Sequence, residues 1–229
     1  MTPVHIPSAA WRVAAAITAA LLAACASHPP PPDWQGNAKA ASERSVAAYL
    51  VGDARVDAAE HARARGEVAR TGRADLLARV ELTRCAARVA SLVFDPCAGF
   101  EPLRADAAAG ERAYADYLQA RVEPADIALL PEAQRAVAAG GPNDAANVAA
   151  LGTIADPLAR LVAAGVLFEA GRADPQVIAL AIDTASAQGW RRPLLAWLGV
   201  QLKRAEQAGA SAEAQRLRRR IDLVQRGGA

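Results

Sequence analysis

Side chains that could carry out covalent or metal chemistry are few in this sequence of 229 residues. It contains three histidines, His5, His28 and His61, and three cysteines. A metal site needs several ligands close together, and a Ser-His-Asp triad needs a histidine beside a serine. His61 stands with Asp57 and Glu60 in a polar segment, so we expect it on an exposed helix face. The sequence therefore predicts no catalytic residue, no metal ligand and no cofactor.

Acidic residues could form an active site, and tryptophans could form a ligand-binding surface. The 24 Asp and Glu residues could supply the paired carboxylates of a glycoside hydrolase. Such an enzyme normally lines its cleft with aromatic side chains, of which the chain has only four Trp, three Tyr and three Phe. Trp190 and Trp197 flank basic residues and could form a ligand surface. Their seven-residue spacing puts both indoles near one helical face, which favours packing in the interior.

Five arginines stand in the C-terminal stretch QRLRRRIDLVQR, residues 215–226. Such a stretch could attract an anionic lipid head group or the acidic groups of a polymer. However, Leu217, Ile221 and Val224 form a stripe of helical spacing that should face inward. We therefore expect the arginines to be solvated side chains of an amphipathic helix.

Cys25 directly follows the apolar run Val13–Ala24, which itself follows Arg12. Twelve residues are too few for a bilayer span, which needs ~20, but they match the core of a signal peptide. The stretch Leu22-Ala23-Ala24-Cys25 resembles the lipobox of bacterial lipoproteins. The resemblance implies that the Cys25 sulfur receives a diacylglyceryl group, that the chain is cut before it and that the new amine is acylated. The alternative is an ordinary secreted protein with a cysteine in its signal.

The residues after Cys25 bear on location and organisation. Ala26 and Ser27 stand where an Asp in this family tends to mark retention in the inner membrane, so the resemblance implies a lipid anchor in the outer membrane and a body in the periplasm. The prolines of SHPPPPDW favour an extended tether. We expect a signal peptide over 1–24, the lipidated cysteine and tether over 25–36, and a single all-helical domain over 37–226.

The mature chain implied by this cleavage holds two cysteines, Cys85 and Cys97. The periplasm is oxidising, so an even pair is expected to form a disulfide. The geometry is demanding, because Cys85 lies within a helix predicted to run to about Phe94 and the two Cα atoms must come within ~7 Å. Two buried free thiols are the alternative.

The elements that position these residues are expected to be helices, because the chain is rich in Ala, Leu, Arg, Glu and Gln and lacks alternating patterns. Asp156-Pro157 and Asp174-Pro175 combine a cap with a proline at the first helical position. We expect helices over 37–51, 56–71, 75–94, 111–120, 143–154, 157–170, 175–187, 192–208 and 211–225, with short helices after Pro124 and Pro131.

The fold class predicted is all-α, with helical hairpins stacked as a short solenoid or an irregular bundle. The stretch AYLVGDARVDAAEHARAR, from Ala48, resembles the joint between the two helices of a tetratricopeptide repeat. Stacked hairpins offer surfaces for partner proteins. The expected function is therefore a non-enzymatic scaffold or adaptor with an unknown envelope partner. A pilot for a secretin or pilus system and a carboxylate-based cell-wall or polysaccharide hydrolase are the alternatives. Since 25 basic residues nearly balance 24 acidic ones after cleavage, no nucleic-acid partner is expected.

Replacing Cys25 by Ser tests the anchor. We expect Cys25→Ser to abolish labelling by a fatty-acid probe and to release the protein from the outer-membrane fraction, because the acyl chains have lost their attachment point. Wild-type fractionation of the variant would contradict the lipoprotein interpretation.

Overall fold

A computed structural model describes residues 32–141 and 144–227, and this part of the chain is all-helical, as predicted. Contacts divide the chain into two units, 1–33 and 34–229. Only Pro32 and Asp33 of the first unit are described, so the fold below is that of the second. The stretch that resembles a lipobox, Leu22 to Cys25, lies outside the described residues. Within the described ranges, no helix combines the length and the apolar character needed to cross a membrane.

Three long α-helices form the first half of the described chain: α1 Asp33–Val51, α2 Ala54–Ala69 and α3 Ala74–Ala90. A loop with a short 3₁₀ turn at Glu101–Leu103 leads to α4 Ala109–Leu118, and a second 3₁₀ segment at Pro124–Leu129 precedes α5 Glu132–Ala139. The second half is five further helices: α6 Asp144–Thr153, α7 Pro157–Glu169, α8 Pro175–Ala187, α9 Arg191–Gln207 and α10 Ser211–Arg226.

Helices α6 to α10 begin and end within one residue of their predicted bounds, because their ends carry strong local signals. The carboxylate of Asp156 accepts from the Ala159 amide and that of Asp174 from the Val177 amide, each at 2.7 Å. Each of these caps stabilises its helix by about 1 kcal/mol. Gly171 ends α7 with a φ of 68°, the left-handed conformation expected of a glycine terminator.

The main core lies around the C-terminal half of α3, where α7 packs against its backbone. A Cβ at Gly165 of α7 would come within 2.4 Å of the Val89 carbonyl oxygen, so only glycine permits this approach. Trp197 of α9 is fully buried and its Nε1 donates to the carbonyl of Ala90 at 3.2 Å. Its ring also meets Phe168 edge to face, with centroids 5.8 Å apart. Both α7 and α9 are therefore fixed to one turn of α3.

Two helix ends differ from the prediction by about four residues, and α2 and α4 each begin and end two residues earlier than predicted. Helix α1 begins at Asp33 instead of 37, so its first turn lies within the predicted tether. Helix α3 ends at Ala90 instead of about 94, because Leu92 adopts a φ of 57° and turns the chain. The Val93 amide then donates to the Arg88 carbonyl at 3.0 Å, which closes the helix end.

A disulfide joins Cys85 and Cys97, with Cα atoms 5.6 Å apart. The early end of α3 provides the return path that a helix running to Phe94 would have made difficult. Both cysteines are buried, and Phe100, just beyond the bridge, lies fully buried in the main core. The bridge therefore fixes the loop after α3 to the side of that helix.

Substitution of Gly165 tests the approach of α7 to α3. We expect Gly165→Ala to lower the free energy of unfolding by about 2 kcal/mol, because the new methyl group collides with the Val89 backbone. Gly199→Ala in α9 is the matched control, since nothing lies within 4 Å of its added Cβ. There the better helix propensity of alanine should raise stability by roughly 0.5–1 kcal/mol. The measurement is urea denaturation; equal effects of the two substitutions would contradict the packing.

Candidate functional site

One face of α1 lines an open groove along the whole helix. The inner row of this face recurs every fourth residue, as does the row beside it that borders the groove mouth. The inner row is Trp34, Ala38, Ser42, Val46 and Leu50; the outer row is Gln35, Lys39, Glu43 and Ala47. Sixteen residue steps from Trp34 to Leu50 correspond to a groove about 24 Å long.

The opposite wall comes from α3 and from residues near the starts of α7 and α9. Leu76 and Val80 of α3 face the first half of α1, while Leu158 and Trp190 close the second half. The volume of the groove is about 1070 Å³. It lies near the upper end of the range for ligand pockets, ~300–1,000 Å³. An apolar floor between polar rims suits an apolar segment of another molecule.

Two small apolar clusters contribute side chains to the floor, and Leu158 and Trp190 of the second also pack against the main core. The first contains Ala38, Ala41, Ala64, Val68 and Val80, with Trp34, Leu76 and Leu77 packed against it. The second contains Tyr49, Leu50 and Ala87, with Val46, Leu158 and Trp190 packed against it. Helix α1 therefore touches the rest of the unit at each end through a few apolar side chains, and the groove lies alongside.

Buried polar contacts hold the middle of α1 through α2. Asp57 of α2 is only 3% exposed, and its carboxylate accepts from Ser45 Oγ at 2.7 Å and from Arg84 of α3 at 3.0 Å. Arg44 adds a hydrogen bond to Glu60, at 2.8 Å through Nη2. Because the Asp57 carboxylate bonds to both α1 and α3, it fixes the distance between the two walls of the groove.

The C-terminal end of α1 is fixed to α9 through Arg192. Its Nε donates to the Tyr49 carbonyl at 2.8 Å, and its guanidinium carbon lies 4.4 Å from the centre of the Tyr49 ring. Burial raises the pKa of the Tyr49 hydroxyl, more than the nearby charges of Arg192 and Arg88 lower it. The tyrosine therefore stays neutral, and its ring serves as a surface for the arginine.

The buried carboxylate of Glu81 also joins α2 to α3. His61 Nε2 lies 3.4 Å from Glu81 Oε2, and Arg65 donates to Glu81 Oε1; His61 and Glu81 are each 7% exposed. Burial would raise the pKa of Glu81, but His61, Arg65 and Arg84 outweigh it and lower the pKa below its usual value of 4.5. A Cβ at Gly99 would come within 1.9 Å of Glu81 Oε2, so the disulfide-bonded loop covers this carboxylate closely.

The prediction of an exposed His61 is therefore wrong. Helix α2 has too few apolar residues for its inner face to be recognised by periodicity, and Asp57, His61, Ala64 and Val68 together form that face. His61 and Asp57 bind partners on α3, a helix that lies well beyond them in the sequence. The sequence signal for these contacts is that Asp57 and His61 on α2, four residues apart, match the complementary Arg84 and Glu81 on α3, three residues apart.

The remaining predicted site residues are dispersed. Cys25 is outside the described residues, and Cys85 and Cys97 do not line the groove. The two tryptophans separate: Trp197 is in the main core, as expected, whereas Trp190 is half-buried and lines the groove. Among the described residues, no cluster of three or more His, Cys, Asp or Glu side chains could hold a metal ion.

Each of the two acids that line the groove has a partner. Glu43 pairs with Lys39 one turn away, and Asp156 caps the first turn of α7. Among the described residues, the groove therefore presents an apolar floor without a free pair of facing carboxylates. Comparisons of the chain with known protein families, with characterised proteins and with solved structures found no match.

Glu81→Gln tests the buried carboxylate. At neutral pH we expect the free energy of unfolding to fall by about 2 kcal/mol, because Arg65 loses its counter-charge and His61 Nε2 loses a carboxylate acceptor. The lowered pKa means that this contribution is complete above pH 4.5 and is lost as the pH falls through the lower folded-state pKa. The difference between wild type and variant in urea denaturation should therefore shrink in acid.

The exposed Glu43→Gln is the control, and its stability should match wild type at every pH, since Glu43 pairs only at the surface. A difference between wild type and Glu81→Gln that stays constant down to strong acid would contradict the assignment to Glu81.

Proposed function

We propose that this protein is a non-enzymatic outer-membrane lipoprotein, anchored through Cys25 with its helical body in the periplasm. It acts as an adaptor that holds an apolar helical segment of an envelope protein in the groove between α1 and α3. The lipobox supports the anchor. The single observation that carries the adaptor function is the open groove with its apolar floor.

The dimensions of the groove favour a helical segment as the occupant. A length of about 24 Å corresponds to roughly 16 helical residues. Helix-in-groove recognition uses apolar anchors at spacings of three and four residues, which would meet the four-residue rows of α1. Trp34 and Trp190, both half-buried, offer large flat contact surfaces near the two ends. Binding at such a site gains mainly from apolar burial.

A pilot that escorts a secretin or pilus subunit is a second candidate. The same groove favours it, because an escort must cover an apolar segment of its cargo until assembly. The two candidates differ in the partner's identity. A carboxylate-based hydrolase has no comparable support, since Glu43 is paired with Lys39 and Asp156 serves as a helix cap.

Site-specific photo-crosslinking in the producing cell tests the adaptor function. A photoreactive residue at Ser42, inside the groove, should crosslink to one envelope protein through an apolar segment of that protein. Ala47→Arg should reduce this crosslink at least tenfold, because the new side chain extends over the groove mouth. Asn37→Arg is the matched control: it adds the same charge to an exposed position of α1 that does not line the groove.

Mass spectrometry of the crosslinked peptide identifies the partner and so decides between adaptor and pilot. The proposal fails if Ser42 gives no protein crosslink, or if Asn37→Arg and Ala47→Arg weaken the crosslink equally. Both variants should retain the wild-type unfolding midpoint, since both positions are exposed.

A further inference from the structure

The C-terminal helix α10 presents a strip of arginines and one leucine away from the rest of the unit. Arg216, Arg219, Leu223 and Arg226 recur at spacings of three and four residues, so they share one helical face. Leu223 is 71% exposed, more than any other large hydrophobic residue among those described. A single exposed leucine is ordinary, but this one stands among arginines, and the acid beside them, Asp222, pairs with Arg226.

The inner side of α10 is firmly packed, so the strip belongs to an ordered helix. Ala214 and Leu217 are buried in the main core, and Ile221 and Val224 pack against it. Arg218 pairs with Glu206 of α9 at 2.5 Å, and Arg220 donates to Ser186 of α8 at 3.3 Å. These contacts fix the rotation of α10 and thereby keep the strip outward.

Positive charge is concentrated at this end of the unit. Residues 203–226 hold seven of the chain's 26 basic residues and three of its 24 acidic ones. The segment therefore carries a net charge of +4, whereas the rest of the chain carries −2. Arg219 has no acidic partner in the part of the chain that the structure describes, and the pairs of Arg216 and Arg226 are with flanking residues of α10 itself. The strip remains available to an external anion.

We infer that the outer strip of α10 lies on an anionic lipid surface, with the arginines on phosphate groups and Leu223 inserted among the acyl chains. Arginine matches phosphate through several donors in a fixed plane. A basic helix face with an aliphatic residue at its centre fits an interface where head groups and hydrocarbon meet. A soluble acidic polymer would match the charges but would leave Leu223 in water, so charge and leucine together favour a lipid surface.

This inference is independent of the groove and of the lipid anchor. The test uses the mature chain, residues 25–229, carrying Cys25→Ser so that no acyl group contributes. Flotation is measured with vesicles of phosphatidylethanolamine and phosphatidylglycerol, and with vesicles in which phosphatidylcholine replaces the anionic lipid. We expect binding to the anionic vesicles only, and its loss at high salt.

Three substitutions localise the contact. Each arginine near an anionic surface raises the partition coefficient about fivefold. Arg219→Glu removes one positive charge and adds a negative one, so it should lower the partition coefficient at least tenfold. Leu223→Ser should lower it severalfold, because the inserted side chain is lost. Arg55→Glu makes the same charge change at an exposed position of α2 and should have little effect.

Three outcomes would overturn the inference. Equal binding to both vesicle types would exclude recognition of anionic lipid. Equal losses for Arg219→Glu and Arg55→Glu would show that only net charge matters. Binding to heparin as strong as to vesicles, with no effect of Leu223→Ser on either, would assign the strip to an acidic polymer. Unchanged unfolding midpoints in the exposed variants ensure that each result reports on the contact.

Discussion

The contact between Gly165 and the backbone of Val89 is the constraint on which the main core depends. Because a side chain at residue 165 would collide with α3, the absence of one lets α7 lie directly on that helix. The last turn of α3 is then buried, and its carbonyl groups need partners within the protein. The indole of Trp197 donates to the carbonyl of Ala90. Because the chain turns at Leu92, the Val93 amide can donate to the carbonyl of Arg88. The position of α9 therefore follows from the position of α7.

The N-terminal half of α3 is joined to its neighbours mainly by polar interactions. Helices α1 and α2 contribute many alanines and polar residues, so little apolar surface is available to hold them. Asp57 and Glu81 compensate with buried ion pairs and hydrogen bonds to partners on several helices. Such pairs add little net stability after desolvation, but a wrong alignment would leave a charge buried without a partner. They fix α1 at a defined position without covering its apolar face, and the groove results from this.

Local chemistry explains why the second half of the fold could be predicted and the candidate site could not. Asp156 and Asp174 act on amides three residues away, so their effect is visible in a short stretch of sequence. The inward stripe of α1 can also be recognised in the sequence, since Ala41, Val46, Tyr49 and Leu50 recur at helical spacing, and Ala41, Tyr49 and Leu50 are buried. Periodicity cannot tell whether such a stripe meets another helix or borders an open space. Val46 fits the same stripe and lines the groove, while the roles of His61 and Trp190 depend on residues far away in the chain.

The placement of the indoles has a spectroscopic consequence. The proposed cleavage before Cys25 would remove Trp11 and leave three tryptophans. Trp197 is sealed in the core and should emit at short wavelength whatever the groove contains, whereas Trp34 and Trp190 line the groove and are half-buried. Emission from these two indoles depends on whether water or an apolar segment lies beside them. Binding of the proposed apolar segment would therefore change the emission of Trp34 and Trp190, while Trp197 would serve as a reference in the same chain.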